Sequence, residues 1–151
     1  MEEQKIAWDD RYAIGIESLD NQHKKLFRLV NRLYEVEEHK ITKERLKSIL
    51  YEFSDYMKTH FHEEEEYMSS IGYDKLQEHK ALHQELIDYL ASVINKPAKL
   101  DIIKTKMKIV AKRALIDHIM NEDTKIKLFL IEQNLEDEII FDITDIVAGN
   151  E

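Results

Sequence analysis

Residues 46–68 read LKSILYEFSDYMKTHFHEEEEYM, and their apolar side chains recur at steps of three and four. That spacing is typical of one face of an α-helix. The members of this apolar stripe are Leu46, Ile49, Leu50, Phe53, Met57, His60, Glu64, Tyr67 and Met68. His60 and Glu64 lie about 40° apart around a helix axis and therefore point the same way. Because desolvating imidazole and carboxylate groups is costly, their place in an apolar stripe indicates a special role.

Three further segments combine an apolar helical stripe with histidine. The first carries His23, the third, from about Asp74 to Ile94, carries a pair of histidines, and the fourth, from near Lys99, carries another. The candidate ligands are His23, His60, Glu64, His79, His83, His118 and Asp123. A single buried histidine is more often a hydrogen-bonded core residue than a ligand. Seven such groups aimed at one interior are better explained by metal.

Capping and helix-breaking residues between these segments predict long helices joined by short loops. Ser18 or Asp20 can cap the first helix, Thr42 can cap the second, and Gly72 can end it. The sequence Asn95-Lys96-Pro97 breaks the third. Three glycines and one proline in the whole chain also disfavour many short strands. Short loops favour antiparallel neighbours, so the fold predicted is an all-α, up-down-up-down four-helix bundle with an N-terminal arm.

The C-terminal part of the chain is not needed for the four-helix bundle. We expect residues 1–127 to form the bundle with its arm, and residues 128–151 to form an acidic amphipathic extension. Its apolar residues fall at helical spacing, yet Ile139, Phe141 and Ile143 also alternate as a strand would, which leaves its structure open. It either folds back on the bundle or forms a frayed end, or it serves docking to a protein partner or self-association.

Composition excludes several classes of function. The absence of cysteine excludes disulfides, thiolate metal sites and cysteine nucleophiles. A formal net charge of −9 argues against a nucleic-acid partner. No apolar run of about 18 residues predicts a membrane span. Residues 1–8 lack the pattern of a signal peptide, so the expected location is the cytoplasm.

The candidate ligands point to two metal ions. Imidazole and carboxylate groups suit iron, zinc, copper, nickel or manganese. Seven protein ligands are too many for one tetrahedral zinc ion. They fit a pair of metals bridged by carboxylates in the core of a bundle. The Glu-x-x-His pattern of ferritin-like di-iron proteins does not occur in this chain.

Taken in order, these residues resemble a known family. The matching pieces are Trp8 and Gly15 with Asp20-Asn-Gln-His23, then His60-Phe61-His-Glu-Glu64-Glu65 with Met68, Gly72-Tyr73, His79-Lys-Ala-Leu-His83, and His118-Ile119 with Asp123. Their order and spacing, from about Ile6 to Lys127, resemble the hemerythrins and most closely their bacterial single-domain branch. Each motif is weak alone, and the set of them is specific.

The resemblance implies an iron site and a function. His79, His83 and His118 would bind one iron, and His23 and His60 the other. Glu64 and Asp123 would bridge the two irons together with an oxo or hydroxo group. The second iron would keep an open position for dioxygen, so the implied function is reversible dioxygen binding for transport, storage or delivery, without enzymatic turnover.

Other functions stay open at the level of sequence. An oxygen or redox sensor could signal through residues 128–151, and a di-iron enzyme could reduce peroxide or nitric oxide. A structural zinc bundle is a third alternative. The family commonly has tryptophan one turn before its last histidine, where this chain has Ala114. A smaller residue there is expected to enlarge the oxygen pocket or to admit solvent.

Helical geometry and the resemblance disagree about the last carboxylate. Glu122, four residues after His118, lies about 40° from it on a regular helix, whereas Asp123 lies about 140° away. A π-type bulge brings a residue five positions on back toward the same face. We therefore expect Asp123 to be the ligand, with a helical irregularity or a displaced helix axis between Ile116 and Lys125.

The histidines and the neighbouring glutamates that are not candidate ligands are predicted to face solvent. His62 lies about 200° around the helix from His60. His39 belongs to the polar turn after the first helix. Glu63, Glu65 and Glu66 are interpreted as a solvated face. Phe27, Phe53, Phe61 and Tyr67 are interpreted as core packing.

Overall fold

The computed structural model describes residues 6–37 and 39–134, and within them all regular structure is helical. A 3-10 turn at Asp10–Tyr12 precedes the helices α1 (Glu17–Tyr34), α2 (Lys43–Ser70), α3 (Leu76–Ile94) and α4 (Leu100–Ala111). From α4 the chain continues through two π-helical segments, Lys112–Asp117 and Ile119–Asp123, into an α-helix over residues 124–134. Residues 100–134 together are called the fourth helix below. The predicted all-α four-helix bundle is confirmed.

Each helix packs against two neighbours, with α1 against α2 and α4, and α3 between α2 and α4. The predicted stripes supply the core between them. Its fully buried side chains include Leu26, Leu33, Phe53, Met57, Leu90, Met107, Leu115 and Ile119. A second, smaller cluster closes one end of the bundle, where Met68, Tyr73 and Ile126 pack together. Residues near helix ends, such as Leu46 and Tyr67, are only partly buried because fewer neighbours surround them.

The ends of α2 form as predicted. The Thr42 hydroxyl accepts a hydrogen bond from the backbone N–H of Arg45 at 3.1 Å, which satisfies one donor of the first turn. At the other end Gly72 has φ +68°, and the backbone N–H of Tyr73 donates to the carbonyl of Met68 at 2.9 Å. This is a Schellman C-cap, in which glycine provides the left-handed backbone.

The cap predicted for the first helix is wrong. Helix α1 begins at Glu17, and neither Ser18 nor Asp20 is its N-cap. The carboxylate of Asp20 instead accepts hydrogen bonds from the backbone N–H groups of Ile14 at 2.8 Å and Gly15 at 3.2 Å. An aspartate in the first turn can satisfy donors of the preceding loop, and sequence alone does not distinguish this from a cap.

The N-terminal arm packs against the bundle. The Asn31 side chain on α1 accepts from the backbone N–H of Ile6 at 2.9 Å and donates to its carbonyl at 2.7 Å. Trp8, Tyr12 and Phe27 form a group of three aromatic contacts, with ring centroids between 5.6 and 5.9 Å apart. The arm is therefore fixed to the same helix that carries His23.

The fourth helix runs past the predicted boundary between residues 127 and 128 without a break. Residues 135–151, where the strand-like pattern of Ile139, Phe141 and Ile143 occurs, lie outside the described part of the chain. Helix α3 begins at Leu76, two residues later than predicted, and the start near Lys99 is confirmed. None of the helices described is both long enough and apolar enough to cross a membrane.

Candidate metal centre

The seven predicted ligands come together in the interior of the bundle. Helix α1 supplies one, α2 and α3 supply two each, and the fourth helix supplies two: His23; His60 and Glu64; His79 and His83; His118 and Asp123. All seven are buried, and both carboxylate residues have 0% of their surface exposed. Their ligand atoms form two overlapping groups, in each of which every atom lies within 4.8 Å of the others.

One group joins three histidines to one oxygen of each carboxylate. Glu64 Oε1 lies 2.9 Å from His79 Nε2 and 3.1 Å from His83 Nε2. Asp123 Oδ1 lies 2.9 Å from His79 Nε2 and 3.2 Å from His118 Nε2. We call this the three-histidine group.

The other group joins two histidines to the remaining carboxylate oxygens. His23 Nε2 lies 3.1 Å from Asp123 Oδ2 and 3.5 Å from Glu64 Oε2. His60 Nε2 lies 3.2 Å from Glu64 Oε2. We call this the two-histidine group. Each carboxylate thus turns one oxygen toward each group, which is the arrangement that a bridging carboxylate requires.

A π-helical segment turns Asp123 into the interior. The backbone N–H of Thr124 reaches the carbonyl of Ile119, five residues earlier, and the N–H of His118 reaches that of Arg113. Glu122 instead pairs with Lys125 at 3.3 Å and has 26% of its side chain exposed. The predicted irregularity between Ile116 and Lys125 is confirmed, and such bulges are frequent at functional sites.

The spacing of the donor atoms fits metal ions. Imidazole nitrogens and carboxylate oxygens bind a divalent metal such as zinc at about 2.1 Å. Two such ligands at right angles around one metal are then about 3 Å apart, close to the distances within each group. Both oxygens of Asp123, Oε2 of Glu64 and Nε2 of His23 and His60 are buried without a hydrogen-bond partner among the residues described. Leaving buried polar atoms unpaired is costly, and two cations would satisfy them.

Protons balance the charge of this cluster when metal is absent. Burial opposes protonation of His23, but its contacts with Asp123 and Glu64 outweigh burial and raise its pKa to about 10. The same opposition raises the pKa of His79 to about 9. Burial likewise opposes ionisation of Glu64, yet bonds from the histidines keep its pKa well below the usual range, and the pKa of Asp123 is also lowered. Both carboxylates are therefore anionic and ready to bind a cation.

The sequence analysis did not identify two side chains that contact the Nδ1 atoms of candidate ligands. His60 Nδ1 lies 2.6 Å from Gln22 Oε1, and His83 Nδ1 lies 2.7 Å from Glu65 Oε2. The Gln22 amide in turn donates to the carboxylate of Glu63. The prediction that Glu65 is simply solvated is wrong, because its side chain is only 21% exposed and bonded to an imidazole. Its only sequence signal is its position next to Glu64.

Aromatic packing accompanies these contacts. The ring of Phe61 stacks on that of His83 with centroids 3.8 Å apart and an angle of 5° between the planes. The same ring lies 5.9 Å from that of His118. Phe61 is a core residue, as predicted, and its stacked ring also restricts the orientation of the His83 imidazole.

Two histidines stay outside the cluster, as predicted. The side chain of His62 is 72% exposed and pairs with Glu66 at 3.0 Å. That of His39 is 78% exposed and lies 3.7 Å from Glu37. Neither histidine belongs to the three-histidine group or the two-histidine group around Glu64 and Asp123.

An open cleft of about 240 Å³ reaches the edge of the cluster between α3 and the fourth helix. Its lining residues are Leu82, Glu85, Leu86, Arg113, Asp117, His118, Asn121 and Glu122. Ala114 is 3% exposed, packs in the main core and does not line this cleft. On the fourth helix this cleft is therefore lined by Arg113 and Asp117 rather than by Ala114.

Comparison with known proteins agrees with this geometry. The model of the hemerythrin HHE cation binding domain matches residues 14–130. The chain is 39% identical over 90 residues to a bacteriohemerythrin of Clostridium acetobutylicum, covering 58% of this chain and 70% of that protein. It is 30% identical over 116 residues to a bacteriohemerythrin of Campylobacter jejuni, covering 76% and 87%. A bacteriohemerythrin of Pseudomonas aeruginosa is 28% identical over 118 residues, covering 78% and 76%. The chain belongs to the hemerythrin family.

Proposed function

We propose that this protein binds dioxygen reversibly at a non-haem di-iron centre and serves as an oxygen carrier, store or delivery protein. The observation that carries the proposal is the division of Glu64 and Asp123, each with one oxygen in the three-histidine group and one in the two-histidine group. In this proposal His79, His83 and His118 hold one iron and His23 and His60 hold the other. An oxo or hydroxo group would complete the bridge.

The two groups offer unequal numbers of protein donors. Three histidines and two carboxylates form one, whereas two histidines and the same carboxylates form the other. The second site therefore leaves more room for an exogenous ligand. Two bound ferrous ions would supply one electron each for the binding of dioxygen.

The protein's part is to orient the imidazoles and to limit the entry of water. Phe61, Leu115 and Ile119 are each at most 3% exposed and belong to the same hydrophobic core, and Phe61 contacts His83 and His118 directly. A dry surrounding restricts the protons that would favour irreversible oxidation of the metals. Only His118, 6% exposed, meets the open cleft.

Iron analysis combined with absorption spectra tests the proposal. Protein purified anaerobically with iron should contain two irons per chain, develop coloured charge-transfer bands on aeration and lose them when oxygen is removed. Protein that instead binds stoichiometric zinc and stays colourless in air would contradict it. Sustained consumption of peroxide or nitric oxide would show that the site is enzymatic rather than a carrier.

A second candidate function is oxygen or redox sensing. Asp123 ends a π-helical segment, and the α-helix over residues 124–134 follows it directly toward the extension 128–151. A shift of this carboxylate would therefore move the base of the extension and alter its binding to a partner or to a second copy. Hydrogen exchange of residues 124–134, compared between reduced and aerated protein, tests this. Identical exchange in both states would contradict the sensing function and leave only the carrier function.

A further inference from the structure

Three successive glutamates of α2 contact three different parts of the bundle. Consecutive residues of a helix are turned by about 100°, and α2 packs against α1 on one side and α3 on the other. Glu64 is fully buried in the cluster. Glu63 contacts Gln22 of α1, and Glu65 contacts His83 of α3. The two outer carboxylates are thus placed on opposite sides of the candidate bridging ligand.

Glu65 determines which nitrogen of His83 faces the cluster. An ionised carboxylate only accepts hydrogen bonds, so at 2.7 Å it must receive the Nδ1–H of the imidazole. With a metal bound, the lone pair on Nε2, the nitrogen that lies 3.1 Å from Glu64 Oε1 in the cluster, would then be the one that binds it. The stacked ring of Phe61 fixes the plane of the same imidazole.

Glu63 acts on His60 through an amide. Because the Gln22 Nε2 group donates to Glu63, its Oε1 is turned toward His60 Nδ1, at 2.6 Å. The amide oxygen accepts the Nδ1–H of His60, so that Nε2, 3.2 Å from Glu64 Oε2, is the nitrogen that would bind a metal. The result is the same tautomer as at His83, with a neutral acceptor in place of an anion.

We propose that Glu63 and Glu65 are positioning residues for the two metals, Glu65 directly through His83 and Glu63 indirectly through Gln22 and His60. Acceptors behind a metal-bound imidazole fix its tautomer and raise its basicity. An anion on one group and a neutral amide on the other make the two halves of the cluster unequal donors. The inference rests on the proposed metal centre and extends it beyond the seven ligands.

Cobalt(II) titration of the metal-free, full-length protein against a competing chelator tests the proposal without oxygen chemistry. Glu65→Ala should weaken one of the two cobalt sites by about 10–100-fold. Glu65→Gln, which retains an acceptor, should lose less. Glu63→Ala should weaken the other site by less than about tenfold, because the amide remains. Glu66→Ala is the matched control, since that side chain is 68% exposed and forms its ion pair with the exposed His62.

A spectroscopic measurement separates positioning from general structural support. In the zinc-loaded protein, long-range ¹⁵N–¹H NMR should show a hydrogen-bonded Nδ1 proton on His83. In Glu65→Ala that resonance should shift or exchange rapidly, while the resonances of His62 stay in place and circular dichroism stays helical.

The outcomes distinguish this inference from the proposed function. Wild-type protein that takes up no cobalt would overturn the metal centre, and the inference with it. Normal uptake, with unchanged affinity and an unchanged His83 resonance in Glu65→Ala, would overturn only the positioning roles.

Discussion

At the residue scale, His79 Nε2 and His118 Nε2 lie 3.0 Å apart in the three-histidine group. Without metal one of these imidazoles can donate to the other, and in the proposed centre both nitrogens bind the same iron. We expect His79→Ala or His118→Ala to lower the iron content below two per chain and to abolish oxygen binding. Metal analysis and the absorption spectrum measure both effects. His62→Ala is the control and should behave as wild type, while an unchanged iron content in either ligand variant would disprove the assignment.

Asp123 and Glu122 provide a sharper comparison, because they are adjacent carboxylates with opposite environments. Asp123 is fully buried among histidines, whereas Glu122 is partly exposed beside Lys125. We expect Asp123→Asn to lose at least one iron per chain and Glu122→Gln to retain both, as measured by iron analysis after identical reconstitution. The reverse result would mean that the π-helical segment does not hold the bridging ligand.

Ala114 allows the access of water to be tested. It is buried in the core one turn before His118, and although it does not line the cleft itself, its neighbour Arg113 does. We expect Ala114→Trp to narrow the approach for water and protons and so lengthen the half-life of the dioxygen-loaded protein. Because inserting a large ring into a packed core commonly costs about 1–3 kcal/mol, thermal unfolding must be recorded alongside. A half-life equal to or shorter than that of wild type, in a folded variant, would contradict this account.

At this scale the sequence predicts the candidate ligands better than the residues that hydrogen-bond to them. His23 and Glu64 could be found because polar groups stand out in an apolar stripe. Glu65 and Gln22 could not, since both lie among ordinary charged and polar residues. Their contacts with His83 and His60 depend on how neighbouring helices are rotated against one another, which helical spacing within one segment does not contain.

At the scale of helices, local signals predicted some ends and misled at others. Thr42 and Gly72 act within one turn of their own helix, so their neighbours along the chain suffice to identify them. Asp20 bonds to Ile14 and Gly15 in the preceding loop, whose conformation the sequence does not specify. The π-helical segment was predicted only because the spacing of His118 and Asp123 conflicted with a regular helix.

The C-cap of α2 gives a prediction about stability. Gly72 has φ +68°, and a Cβ added there would meet no atom within 4 Å, so the penalty for alanine is conformational rather than steric. We expect Gly72→Ala to lower the free energy of unfolding by about 1–2 kcal/mol, measured by urea denaturation of the metal-free protein. Substitution of the exposed Gln77 by alanine is the control. A loss no larger than that of the control would show that the turn relaxes to another conformation.

At the scale of the whole molecule, the open question is where the bundle ends. The sequence predicts a boundary between residues 127 and 128, whereas the helix over residues 124–134 runs across that position. Phe129 packs edge-on against Tyr73 with ring centroids 5.3 Å apart, and Leu130 contacts the same end cluster. This helix also begins directly after Asp123. These contacts indicate that residues 128–134 pack on the apolar end cluster of Met68, Tyr73 and Ile126.

Two truncations locate the boundary. Deletion of residues 128–151 removes Phe129 and Leu130 from the end cluster and should lower the free energy of unfolding by about 1–3 kcal/mol, as loss of partly buried apolar side chains does. The shortened helix should also fray toward Asp123 and weaken metal retention. Deletion of residues 135–151 should leave both stability and iron content close to those of the full chain, because the contacts around Tyr73 remain. Equal stability and iron content for all three proteins would instead support the boundary at residue 127, since residues 128–134 would then contribute nothing to the bundle.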